Sequence, residues 1–121
     1  MKKIFILIIS CFIICGCTTA SKDGNNNLTK NEIKNIMLTK DYKIIDVRTK
    51  EEYDSGHVED AINIPYDELQ DKINFNKDII LFVYCKSGNR SNIAYNTLNQ
   101  LGYEVYDLGA YEKIELEKII H

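Results

Sequence analysis

Several things that commonly hold or punctuate a small domain are scarce in this chain. Its 121 residues contain four cysteines, one proline, two histidines and no tryptophan. Three of the cysteines, Cys11, Cys15 and Cys17, crowd the N-terminus, and Cys85 stands alone, which excludes a disulfide framework. Positive charge is not in surplus: 15 basic residues face 18 acidic ones, a formal balance of −3. Such a surface disfavours nucleic acid or acidic lipid as a partner. No apolar run is long enough for a comfortable membrane span, which needs about 20 residues. No internal repeat is visible, and the length suits one small domain with one core.

What is present begins with a leader. Met1-Lys2-Lys3 is a short basic stretch, and Ile4 to Ile14 is apolar apart from Ser10 and Cys11, the pattern of a secretory signal. Ile14-Cys15-Gly16-Cys17 resembles the bacterial lipobox, in which the last Cys is acylated and becomes the first residue of the mature chain. This predicts a signal peptide over 1–16, lipidation of Cys17 and a protein held at the outer face of a cytoplasmic membrane or in a periplasm. Several acyl chains on one residue anchor stably, whereas one binds marginally. An ordinary signal peptide with incidental cysteines is the alternative. Without Lys2 and Lys3, 13 basic residues face 18 acidic ones and the balance becomes −5. Thr18 to Asn27 is small, polar and aperiodic, so 17–27 reads as a lipidated Cys and tether, and 28–121 as the domain.

That domain alternates helix and strand signals. Thr29-Lys30-Asn31-Glu32 has capping-box spacing, with Ile33, Ile36, Met37 and Leu38 as its apolar stripe. Lys43 to Val47 is a short apolar strand, and Thr49-Lys50-Glu51-Glu52 opens a brief helix ended by Ser55-Gly56. Ala61 to Ile64 is a strand stopped by Pro65, and a helix from Asp67 to Ile73 follows. Ile79 to Tyr84 is apolar at every position, as a parallel strand covered on both faces should be. A helix from Ser91 to Leu101 stops at Gly102, a strand runs from Glu104 to Leu108, and a final helix is expected from Tyr111 to Ile120. The order predicts an α/β domain around a mainly parallel sheet, with ligand beyond the carboxyl ends of its strands.

Cys85 falls at such an end. It closes the most apolar run and opens Lys86-Ser87-Gly88-Asn89-Arg90, which leads into the helix starting near Ser91. Unpaired first-turn amides, the helix dipole and two cations favour a thiolate there. The competing reading is an inert core cysteine; Lys86 and Arg90 argue against it, because a core thiol has no use for cations. An unpaired thiol outside the reducing cytosol is also open to oxidation, which suits one that works.

Two separated motifs resemble those of the rhodanese family. Asp46-Val47-Arg48, Glu52-Tyr53, Gly56-His57-Val58 and Ala61-Ile62-Asn63-Ile64-Pro65 resemble the N-terminal signature; Cys85-Lys86-Ser87-Gly88-Asn89-Arg90-Ser91 resembles the active-site loop. The similarity runs from Leu28 to Gly109. Its end departs from the family pattern: Leu108-Gly109-Ala110-Tyr111 stands where a Gly-Gly pair and a tryptophan are usual, with Tyr111 in the aromatic role. The resemblance implies a three-layer fold with helices on both faces of the sheet. It also implies sulfur transfer through a Cys85 persulfide, from a thiosulfate-like donor to a thiol or cyanide, with no metal or organic cofactor. Backbone amides of the loop would cradle the sulfur, Gly88 supplying a positive φ. Lys86 and Arg90 would hold the donor, with Ser87, Asn89 and Ser91 as further binding positions.

Other assignments are weaker. Asp46 and Arg48 are placed as supporting residues; Arg48 either braces its loop through Glu52 or reaches the substrate, and bracing is the favoured reading. His57 is read as a turn residue, since a thiolate needs no general base. Four residues separate Cys85 from Arg90, where the related phosphatases have five. The smaller ring suits a sulfur atom better than a phosphoryl group, and counts against a phosphatase or arsenate reductase. A non-catalytic sulfur carrier or partner-binding module is the remaining alternative, and a monomer is expected.

Overall fold

The computed structural model describes residues 28–120. The leader, Cys17, the tether and His121 lie outside them. Helix α1 (Lys30–Thr39) leads into β1 (Tyr42–Asp46), α2 (Lys50–Ser55), β2 (Gly56–Val58) and β3 (Ala61–Asn63). A 3₁₀ turn (Tyr66–Glu68) runs into α3 (Leu69–Lys72), followed by β4 (Ile80–Cys85), α4 (Asn89–Gln100) and β5 (Val105–Ala110). A second 3₁₀ turn (Tyr111–Lys113) and β6 (Lys118–Ile120) complete the described chain. The main sheet has the order β3-β1-β4-β5, parallel throughout, and β2 pairs with β6 in a separate antiparallel ribbon.

Side-chain alternation along β4 explains why that segment is apolar at every position. Leu81, Val83 and Cys85 point into one buried cluster with Leu69, Ala94 and Leu98 of α3 and α4. Ile80, Phe82 and Tyr84 point into the other, against Ile33, Ile36 and Met37 of α1 and Val58 of β2. Successive residues of a strand face opposite ways, so a central strand covered twice must be apolar twice. The helices thus lie on both sides of the sheet, as in rhodanese-like α/β domains.

Both predicted capping boxes form. Thr29 and Thr49 each accept from the amide three residues on, while Glu32 and Glu52 accept from the threonine amides. Leu38, however, is 85% exposed and leaves the stripe of α1. Ile93 of α4 is also exposed.

The expected terminal helix is not found. The chain turns once at Tyr111–Lys113 and then runs extended, so that Lys118 to Ile120 pair with Val58 to Gly56. The Glu59 amide adds a bond to the Glu117 carbonyl at 2.8 Å. The β2 backbone, read from sequence only as a turn, needs a partner for its polar groups, and satisfying them outweighs local helix preference. Ile114 and Leu116 still reach the core.

One irregularity shapes the end of the sheet nearest the cysteine. Val83 pairs with Asp107 but Tyr84 with Gly109, so β5 carries an extra residue. Gly109 sits at φ 83°, and its amide is taken by the Asp107 carboxylate at 2.8 Å. The bulge resets the register so that Ala110 lies opposite Cys85.

Candidate active site

Cys85 is the last residue of β4, and its side chain points to the α4 face of the sheet. Three residues separate it from α4, whose N-cap is Gly88 at φ 106°, the left-handed region. A side chain there would be strained whatever the space around it. This conformation turns the Gly88 amide back on the strand end, where it donates to Cys85 Sγ at 2.9 Å. The thiol lies 3.5 Å from Ser91 Oγ, and that hydroxyl donates to the Gly88 carbonyl at 3.2 Å. Helix α4 begins at Asn89, two residues earlier than the sequence pattern suggests, which brings Ser91 into its first turn. No side chain caps this terminus, so its first amides have no intrahelical partner.

The cysteine is enclosed. It is 0% exposed, packed beside Val83, Val47 and Ala94, and Ser91 is equally buried. The short loop closes over the sulfur. Lys86, Ser87 and Asn89 are exposed above it, and Gly88 and Arg90 are half-buried.

Arg90 is tied down. Its two terminal nitrogens reach the two oxygens of Glu52 at 2.9 and 3.2 Å, a fork-on-carboxylate pair joining α4 to α2. The hydrogen bond from Arg90 is the main reason the Glu52 carboxyl is held down at about 2. The same bond is the main cause that raises Arg90 above its ordinary value.

Arg48 therefore does not brace its loop through Glu52. Its Nε lies 2.9 and 3.0 Å from the two Asp46 oxygens and its Nη2 lies 2.6 Å from Oδ2. The same Nη2 donates to the Gly56 carbonyl at 2.6 Å. Burial alone would disfavour the guanidinium charge, yet its bond to Asp46 and that residue's charge outweigh burial and raise Arg48 above its ordinary value. Asp46 also accepts from the Tyr84 hydroxyl at 2.9 Å, and that hydroxyl accepts the Val58 amide at 3.0 Å. Burial chiefly pushes the Tyr84 phenol up, so it remains a neutral donor.

This network lies on the opposite face of the sheet from Cys85. The sequence motif that contains Asp46 and Arg48 thus locks β1, β4 and the β2–β6 ribbon together, and the structure brings neither residue to the sulfur. Tyr111 completes the lock: it stacks on Tyr84 with ring centres 5.8 Å apart and lies 4.4 Å beneath the Arg48 guanidinium. A Cβ at Gly56 would meet the Tyr111 hydroxyl at 3.0 Å, which explains the small residue there. His57 stacks on Tyr53 at 3.9 Å, and its Nδ1 lies 3.0 Å from the Tyr53 carbonyl. What sequence reasoning missed was Glu52 as the partner of Arg90; its place in a helix-opening box masked a second role.

A model of the rhodanese-like domain matches residues 29–117. Among curated relatives, the thiosulfate sulfurtransferase PspE of Escherichia coli is 37% identical over 79 residues, covering 62% of this chain and 76% of that protein. The adenylyltransferase and sulfurtransferase uba4 of Ogataea parapolymorpha is 33% identical over 84 residues, 65% of this chain and 22% of that protein. The chain spans about a quarter of the length of the first curated relatives it matches. Among solved structures, a rhodanese with anions from Escherichia coli superposes with a TM-score of 0.60 at 33% identity, over 66% of this chain and 99% of that one. With the matched model spanning both motifs and the whole parallel sheet, the chain belongs to the rhodanese-like domain family.

Proposed function

We propose that this protein is a sulfurtransferase that carries sulfane sulfur as a persulfide on Cys85. The thiolate of Cys85 attacks the outer sulfur of thiosulfate; the S–S bond of the donor breaks, sulfite leaves with the bonding pair, and Cys85 holds S–S⁻. A thiol or cyanide then attacks the terminal sulfur, and Cys85 is released as thiolate. Two half-reactions through a covalent intermediate require ping-pong kinetics. The observation that supports this reading most strongly is the Gly88 amide aimed at Sγ from 2.9 Å, at the mouth of an uncapped helix. Amide dipoles fixed in advance stabilise negative charge without reorganising. The Ser91 hydroxyl, now on the Gly88 carbonyl, is close enough to turn to a charged sulfur.

The test is steady-state kinetics with thiosulfate and cyanide. Parallel double-reciprocal lines with thiocyanate as product support the assignment; intersecting lines, or turnover of p-nitrophenyl phosphate in place of thiosulfate, would overturn it.

The N-terminal pattern supports a further part of the same reading: export and anchoring through lipid on Cys17, which would place the thiol outside the cytoplasm. Radiolabelled palmitate should enter the full chain and be lost in Cys17→Ser. Label that survives the substitution removes the anchor.

A further inference from the structure

The charge around Cys85 is not the charge that the loop sequence advertises. Two cations follow the thiol in sequence, but Arg90 is neutralised by a two-point contact with Glu52 at 2.9 and 3.2 Å. Arg48, the other nearby guanidinium, is buried on the far face and satisfied by Asp46. Lys86, exposed on the loop, is left as its single uncompensated cation. Glu52 is itself held still: its carboxylate also accepts the Thr49 amide at 3.0 Å, and Thr49 Oγ1 accepts the Glu52 amide at 3.2 Å. An anion seeking Arg90 must therefore compete with a carboxylate fixed in place by a helix cap. It cannot simply displace a mobile side chain.

We infer that Glu52 is a positioning residue that sets the charge of the sulfur donor, holding Arg90 neutralised and so favouring monoanionic sulfane-sulfur donors over dianionic thiosulfate. Thiosulfonates and persulfides of small thiols belong to the favoured class. With a thiosulfonate, the Cys85 thiolate takes the outer sulfur as the donor S–S bond breaks, and a sulfinate leaves with the electron pair. The loop cradle then meets one negative charge with one free cation. Thiosulfate brings two charges to the same cation, and its second charge faces the Glu52 carboxylate across Arg90. The inference rests on sulfur transfer through Cys85.

The test compares Glu52→Gln with the unaltered full chain, using thiosulfate and benzenethiosulfonate as donors and cyanide as acceptor. Glutamine keeps the volume and the capping acceptor while removing the charge. A unit charge at partly exposed range changes binding of an anion by roughly three- to tenfold. The ratio of kcat/KM for thiosulfate to that for benzenethiosulfonate should rise by that factor, through a lower KM for thiosulfate. Glu52→Asp, which keeps the charge, should leave the ratio within about twofold of the unaltered protein. A merely structural role would lower both donors together and could not improve thiosulfate. An unchanged ratio, a raised KM for thiosulfate, or equal gains with both donors would overturn the inference while leaving the persulfide chemistry intact. If the unaltered protein takes sulfur from neither donor, the proposed function fails first and the inference falls with it.

Discussion

Replacing Asp46 by Asn should be among the most damaging isosteric changes available to this domain. The carboxylate is 0% exposed and accepts from the Arg48 amide, Arg48 Nε and Nη2, and the Tyr84 hydroxyl. Arg48 is 5% exposed. Asn retains the volume and one acceptor oxygen, so packing is preserved and the loss is electrostatic. A buried cation stripped of its counter-charge typically costs about 3–5 kcal/mol. The retained amide oxygen and the aromatic faces of Tyr84 and Tyr111, 5.5 and 4.4 Å from the guanidinium, place the expected loss near the lower end, about 3 kcal/mol. A domain of this size has only about 5–15 kcal/mol in total. Urea unfolding reads the effect directly: with m of about 1.5 kcal/mol/M, the midpoint should fall by roughly 2 M with little change in slope. Arg48→Met should cost a comparable amount, and the double variant should lose much less than the sum, because neither charge is then left alone. A midpoint shift below ~0.5 M, or additive losses in the double variant, would refute the view that this pair locks the sheet to the ribbon.

Two further outcomes follow from the loop and its clamp. Glu52 titrates at about 2 in the folded protein against an ordinary 4.5; a depressed folded value means its contribution is fully present above pH 4.5 and is lost as pH falls toward 2. After solvent screening this is on the order of 1–2 kcal/mol, so acid unfolding of Glu52→Gln should show a flatter slope across that window, and identical slopes would contradict it. Gly88→Ala meets no atom within 4 Å, but holding φ 106° costs it about 1–2 kcal/mol, and relaxing from that φ would turn the amide off the sulfur. Persulfide formation should slow by at least tenfold while the fold survives; a full-rate variant would show that this amide is not part of the cradle.

Much of the fold was legible because its signals are local. The two threonine-led boxes, the uniformly apolar Ile80–Cys85 strand and the stop at Gly102 each carry their own cause in adjacent residues. The terminal strand was not, because its cause is distant: Lys118 to Ile120 are extended to satisfy the backbone of Gly56 to Val58, some sixty residues earlier. The loop of the site was legible for a similar reason, since strand end, glycine and helix start lie within seven residues. Its electrostatics were not. Arg48 does not take the partner expected of it and Arg90 is not left for the donor: Asp46, two residues from Arg48, takes that guanidinium, and Glu52 reaches across to Arg90, 38 positions away. Sequence separation shows which charges are present but not which of them meet. The closure of the loop over Cys85, leaving it unexposed, is likewise a property of packing that composition does not carry.

The central claim is that Cys85 takes a second sulfur, and intact-mass analysis of the protein after exposure to thiosulfate tests it most directly. A gain of about 32 Da that cyanide removes and that Cys85→Ala abolishes is the predicted result for a covalent sulfur intermediate. An unmodified Cys85 across a range of pH and donor concentration, with the fold intact, would contradict the account.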